Sequence, residues 1–486
     1  MNSRLERAFF LALKWIPFTG LMLIVLAACR PAPEPVPIPV SAVQPAEADS
    51  LRPAAQEPAR LLLLGQGSSW QPFFMTPTDL TTGRLADGAM PIEAGTEMNY
   101  AFSPDGELLA IASKYRGCAG MCLRVWQAAD LAPVAEILLT ETKSSDAWVS
   151  HLVFDAKGSR IALTYSHGTS QKIALVDLTR PAEVSREVEL TVEPRLAAFS
   201  ADGQVLMLVG NAGGRQQPSP EEIHAQPQAV LLDGQTLNVL WQQDLTGLKD
   251  GYYGTGDHSS PEESFSYHAG MAADPARGRV YIAHADEDRL TTVDFAARAI
   301  ASVEVREPQA LVDRLVNFLL SLGVRPVQAK AGNTFYRNAL LAPDGQTLYV
   351  VGEQFTLAAE KEFEWEYLYT PLGFEVWEIE SGTRRLHLDS EVVEVRQGPD
   401  GLILLTGYAG SQPPYTELFD PASGQIVARL ARTYAYPTLA TNSQPVLASA
   451  HTDEQGQNFL SILDAQGQPE LSWTEESGYF FWPERR

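Results

Sequence analysis

Four residues spread along the chain carry the chemistry most worth placing: His151, Arg195, His268 and Arg337. Each stands at the start of a short apolar segment, as do Asn99, Tyr100 and Asn338, so their side chains could point into one common mouth. An arginine pair with histidines could hold a carboxylate or phosphate, because guanidinium offers paired donors in a fixed fork. The same groups could instead bond loop carbonyls or glutamates, which is the ordinary use of partly buried polar side chains. A hydrolase or lactonase-like centre built on His268, His151 and Arg337 is the alternative functional reading.

A second constellation lies in residues 354–372, where Phe363, Trp365, Tyr367 and Tyr369 alternate with Glu362, Glu364 and Glu366. Period two describes an extended strand with one aromatic and one acidic face. Trp365, Tyr367 and Tyr369 could stack on sugar rings or anchor a partner protein. They could equally pack on the domain's own rim. The eight histidines show no HxxxH spacing. Asp286 and Asp288 after His284, and Asp453 and Glu454 after His451, lack the full ligand pattern of a calcium loop and read as solvated turns. No metal and no cofactor is expected. Neither a Gly-x-Ser-x-Gly elbow nor a phosphate loop nor a dinucleotide fingerprint stands in a fitting strand-to-helix context. Recognition without turnover is therefore the leading expectation.

The elements that must position these residues come from a recurring turn. Phe102-Ser103-Pro104-Asp105-Gly106 returns as Phe154-Asp155-Ala156-Lys157-Gly158, Phe199-Ser200-Ala201-Asp202-Gly203, Asp274-Pro275-Ala276-Arg277-Gly278, Ala342-Pro343-Asp344-Gly345 and Pro399-Asp400-Gly401. An apolar run follows each, such as Leu108 to Ala112 or Val205 to Val209. Strands and Gly-rich turns recurring at roughly 40 to 50 residues predict an all-β fold, a single propeller of four-stranded blades. Eight blades are read at 61–92, 98–140, 148–192, 195–246, 266–306, 335–390, 391–432 and 434–476, with seven as the alternative. The first lacks an innermost strand, and the apolar tail Gly478-Tyr479-Phe480-Phe481-Trp482 could supply it and close the ring. One inserted helix is read from Pro308 to Leu322, with proline in its first turn and Gly323 beyond its end. In an up-and-down blade, second-to-third loops and interblade connections share one face. All the long segments, 113–122, 211–227, 246–265, 307–334, 354–372 and 407–414, fall on that face. Elaborated loops on a rigid scaffold are where recognition is built.

The turn motif, strands such as Leu290 to Phe295, and Asp420-Pro421-Ala422-Ser423-Gly424-Gln425 resemble bacterial WD40-like and YVTN-type propellers over most of residues 98–432. That resemblance implies the fold and leaves function open, since those families include scaffolds, binding modules and a few enzymes. The unit Leu232 to Trp241 is similar to a quinoprotein repeat, but other units lack its closing tryptophan, which argues against a quinone cofactor.

At the N-terminus, Arg4, Arg7 and Lys14 precede an apolar stretch from Trp15 to Leu26 that ends in Leu26-Ala27-Ala28-Cys29. This reads as a secretory signal over 1–28. Its last four residues resemble the lipobox of bacterial lipoproteins, which implies acylation of Cys29 and attachment of the mature chain to a membrane. Each chain would contribute about 0.8 kcal/mol per buried methylene. Residues 29–59, with proline at 31, 33, 35, 37 and 39, form an extended spacer, and 60–486 the propeller. In an extracytoplasmic cell-envelope compartment the two other cysteines, Cys118 and Cys122, should pair and staple one loop. The net charge of −24 makes nucleic acid a poor partner. The expected partners are the membrane, through the lipid anchor, and a protein or glycan at the long-loop face.

Overall fold

Middle strands of the repeat units are apolar on both faces, and outer strands are not. Leu108–Lys114 and Met121–Gln127 are buried along almost their whole length, whereas Gln425–Leu430 alternates between exposed and half-buried positions. A strand buried continuously must be covered on both sides. Successive blades packed face to face supply that cover. Leu123 and Val125 of one unit share a core cluster with Ile161 and Leu163 of the next. Leu206 and Leu208 join Ile173 and Leu175, Val280 and Ile282 join Val209 and Leu231, and Phe374 joins Phe419 and Leu405.

A computed structural model describes most of residues 60–481. Residues 1–59 and 482–486, together with connecting loops of which 213–222, 255–264 and 308–332 are the longest, lie outside the described residues. The described elements belong to the unit Pro58–Arg486. They are strands, and no α-helix occurs among the described residues. The helix expected from Pro308 to Leu322 lies outside them, as do the leader, Cys29 and the proline-rich spacer.

The described strands fall into eight antiparallel blades, so the seven-blade alternative does not hold. Blade 1 takes Arg60–Gly65, Phe73–Asp79 and Arg84–Leu85, and its innermost strand is Phe480–Phe481 from the other end of the chain, paired with Leu64 and Gly65. Joining the two ends in one blade removes the edge that an open ring would expose. Blade 2 begins with Ile92–Phe102, whose first residues still pair with blade 1 at Phe73 to Met75. The innermost strands of the later blades are Ala147–Phe154, Val192–Phe199, Gly270–Asp274, Asn333–Leu341, Val392–Gln397 and Thr433–Leu439.

Each recurrent turn joins the first strand of a blade to the second. Its glycine has positive φ, 75° at Gly106 and 67° at Gly203, a region that costs other residues about 1–2 kcal/mol. That is why the glycine recurs. The carboxylate two residues into the turn is used locally: Asp202 accepts from Ser200 Oγ at 2.6 Å and from the Gln204 amide at 3.0 Å.

One boundary differs from expectation. Blade 5 starts at Gly270, and the preceding Phe265–His268 runs parallel to Asn333–Tyr336 of blade 6. Gly270 lets the chain pass the neighbouring strand, since a Cβ there would stand 3.0 Å from Ala339 Cβ and from the Asn338 carbonyl carbon. Ala269, between the two segments, gives its amide to Asp250 Oδ1 at 3.0 Å.

Candidate functional site

The two ends of the ring are built differently. At the turn side, the inner strands of blades 2 to 6 surround a cavity of about 1290 Å³ lined by residues such as Phe102, Phe199, Ala273 and Pro343. Arginines strap its rim. Arg160 donates to the carbonyls of Gly203 at 2.6 Å and Gly234 at 2.7 Å in the next blade. Arg277 donates to that of Gly345 at 3.0 Å. The Ala201 amide reaches the Pro275 carbonyl at 3.0 Å.

At the loop side, three of the four residues singled out from sequence do meet. His151 Nε2 lies 3.0 Å from the Arg195 carbonyl oxygen, and Arg195 Nη2 lies 2.7 Å from His268 Nδ1. Asn99 joins the series through its amide, 3.1 Å from the Ser150 carbonyl. A cavity of about 210 Å³ lies against Arg195, His268 and Tyr336. Asp250, whose side chain is 1% exposed, supplies the counter-charge: Oδ2 lies 3.5 Å from Arg195 Nε and accepts from Asn211 Nδ2 at 3.2 Å. Burial, and then the Arg195 charge, holds the His268 pKa below the ordinary imidazole value, with Asp250 opposing.

The proton positions follow. Guanidinium can only donate, so Nδ1 of His268 is an acceptor and Nε2 carries the hydrogen, which it gives to Ser266 Oγ at 3.0 Å. A serine nucleophile needs the reverse, an imidazole nitrogen free to take its proton. Ser266 and His268 therefore do not form a nucleophile–base pair. In the same way His151 donates through Nε2 to a carbonyl, leaving Nδ1 to accept from Thr164 Oγ1 at 3.3 Å. Both imidazoles tie one blade to the next.

Arg337 lines the same cavity, but its side chain turns away from the other three. Its guanidinium is directed into an ion cluster between blades 5 and 6, with Nη2 2.8 Å from Asp288 Oδ1 and Nη1 3.5 Å from Glu375 Oε2, 5.2 Å above the Trp377 ring. Arg384 and His387 meet the other oxygen of Glu375. Nearby, His284 is 1% exposed, and burial, with Arg289 next, pushes its pKa down to about 4. Cys118 and Cys122 are joined in a disulfide, Cα atoms 6.2 Å apart, in the second-to-third loop of blade 2.

The long-loop face carries a feature that only pairing reveals. Ile223–His224, Gly251–Gly254 and Phe265–His268, from three separate stretches of the insertions, add in order to the inner edge of blade 6. The result is one seven-stranded sheet. Blade 6 itself rises to meet them, since Thr347–Lys361 and Glu364–Glu378 are each 15 residues long. On one face of the added strands Tyr267 stacks on Phe335 at 5.1 Å and meets the edge of Tyr253 at 5.4 Å. Ser266, His268 and Tyr336 occupy the opposite face, with His268 and Tyr336 centroids 5.7 Å apart. The side chains of Trp365 and Tyr367 lie outside the described residues, although their strand is placed. Tyr369 packs on Phe355 at 5.5 Å, and burial, then Glu353, pushes its hydroxyl pKa up to about 12. The alternation in Phe265-Ser266-Tyr267-His268 was readable in sequence, but nothing there connects it to Phe335.

No protein-family model matches the sequence, and no curated protein matches it. Among solved structures the chain is similar to dihydro-heme d1 dehydrogenase NirN in complex with DHE, with 11% identity, 89% of this chain and 77% of that chain covered, and a TM-score of 0.51. The likeness is one of fold. A second similar structure is the beta-propeller domain of Myceliophteria thermophila Cps50 (Swd1), at 12% identity, 76% and 97% coverage and a TM-score of 0.39. This chain is an all-β propeller.

Proposed function

We propose that the protein is a lipid-anchored, extracytoplasmic binding module of the cell envelope that engages a partner protein through its long-loop face. The observation that carries this reading is the seven-stranded sheet, in which three short strands lying between Ile223 and His268 are gathered onto blade 6. A scaffold needing only to close its ring would have no use for such an extension. Loops held by a rigid sheet lose less conformational entropy on binding than loops held only at their ends. The half-buried aromatics Tyr253, Phe265 and Phe335 give that face large, stiff contact groups. Anchoring rests on Leu26-Ala27-Ala28-Cys29, and the proline-rich stretch behind it, at about 3.1 Å per residue, would hold the module away from the bilayer.

A hydrolytic centre at the loop-side mouth has less support. Arg195 holds His268 as a donor toward Ser266, and Arg337 is committed to Asp288 and Glu375.

Two experiments test the reading. Cys29→Ser should move the protein from the detergent phase to the aqueous phase, and unchanged membrane partition would refute attachment at that residue. Partners captured from envelope extracts by the lipid-free body should be lost with Tyr253→Ser and Phe265→Ser. A set of captured proteins indifferent to both substitutions would refute docking on this face, and capture of glycan alone would replace a protein partner with a carbohydrate one.

A further inference from the structure

We propose that the turn after the second strand of blade 5 binds one divalent transition-metal ion, of the zinc type, through His284 Nδ1 and the carboxylates of Asp286 and Glu287. These ligand atoms all lie within 4.8 Å of one another. His284 has a side chain only 2% exposed, and its Nε2 lies 2.8 Å from Thr291 Oγ1, which lies 2.8 Å from Ser302 Oγ. A ligating His284 would donate its Nε2 hydrogen to Thr291 and so turn the Nδ1 lone pair toward the acids. That nitrogen is buried without a hydrogen-bond partner and stands 3.3 Å from Glu287 Oε1. A lone pair facing a carboxylate oxygen is unfavourable unless a cation sits between them.

The surroundings fit a ligand site. A ligating imidazole is normally oriented by a hydrogen bond from its other nitrogen, and the Thr291–Ser302 pair supplies one. His284 is buried while Asp286 and Glu287 are half-exposed, so the ion would enter from solvent and complete its shell with water. One imidazole with two carboxylates suits zinc or a similar ion better than calcium, which prefers oxygen ligands alone. Asp288 does not contribute, because Arg337 and Arg384 hold it. Lys249 Nζ lies 2.7 Å from Asp286 Oδ2 and Arg289 Nη1 lies 3.0 Å from Glu287 Oε1. These cations offset the two acids now, and an arriving metal would have to displace them. Lys249 also lies 5.1 Å from the Tyr267 ring, so occupancy would be felt at the base of the seven-stranded sheet.

The test uses the untagged lipid-free body after chelator treatment, titrated with zinc chloride and, separately, with cobalt chloride. The expected result is one equivalent bound, a rise in melting temperature that EDTA reverses, and a cobalt absorption band of a low-coordinate site. Asp286→Asn with Glu287→Gln should abolish all three. Because that double variant leaves the buried histidine in place, it tests the site even if His284→Gln fails to fold. No stoichiometric uptake, or uptake unchanged in the double variant, overturns the proposal, the latter meaning diffuse binding to an acidic surface.

Discussion

Arg195 Nη2 and His268 Nδ1 lie 2.7 Å apart, and this one contact decides the protonation of the imidazole. It is also one of a series of contacts around the loop-side mouth. Asn99 reaches blade 3 from blade 2, His151 reaches blade 4 from blade 3, and Arg195 reaches the strand that leads into blade 5. A girdle of polar contacts on this side matches the arginine straps on the other.

Removing Arg195 should destabilise the propeller. Arg195→Ala leaves the buried Asp250 carboxylate without its cation, and because the arginine itself is 39% exposed and Asp250 keeps its bonds from Asn211 and Ala269, the loss should be about 1–2 kcal/mol. Arg195→Lys should recover only part, because one ammonium cannot serve Asp250 and His268 with the same fork. Urea midpoints of the three proteins check this, and an unshifted midpoint for Arg195→Ala would rule out the strut.

Stability should fall on mild acidification. His268 has its folded pKa below the unfolded value near 6.5, so below that pH the unfolded chain binds more protons than the native one. Its contribution is complete above about pH 6.5 and is lost as pH drops from there toward the lower folded value. Equilibrium unfolding between pH 7.5 and 5 should show this slope, and His268→Asn should reduce it, leaving the part contributed by His284, whose pKa is pushed down to about 4.

The turn glycines offer a measure of backbone strain alone. Gly424 has φ 68°, and a Cβ added there would meet nothing within 4 Å. Gly424→Ala should therefore cost about 1–2 kcal/mol, all of it conformational. The same change at Gly203, where Arg160 Nη2 stands 2.5 Å from the added Cβ, should cost more, because it also disturbs an interblade strap. Equal losses at the two sites would count against the strap.

Deleting residues 478–486 should open the ring. Phe480 and Phe481 pair with Gly65 and Leu64, so their loss leaves an unpaired edge on blade 1. The expected outcome is a lower melting temperature and concentration-dependent association by light scattering. A truncated chain that melts and sediments like the full one would show that blade 1 closes without its tail.

Much of the architecture could be read from residue types. Gly106, Gly158 and Gly203 recur because each turn needs positive φ, and the runs after them are apolar because middle strands are covered on both faces. Strand parity also supplies the expectation that the long insertions share one face. The site was less legible. His151, Arg195 and His268 are linked by hydrogen bonds, yet Arg337, identical in type to Arg195 and also on an innermost strand, turns its guanidinium toward Asp288 and Glu375. Asp250 gave no signal, being one acid within an insertion of an acidic chain.

The amino-acid sequence by itself determined the unit of the fold, its repetition and the tail that could complete the first blade. Backbone sterics and strand alternation act over a few residues and leave their mark in order and type. The tertiary structure alone decided that Phe265–His268 lies parallel to a strand of blade 6, that Arg195 points its donor at His268, and that His284 turns a buried nitrogen toward two acids. Those outcomes depend on groups tens of residues apart meeting across blade boundaries, where direction and burial, not composition, settle which partner is reached.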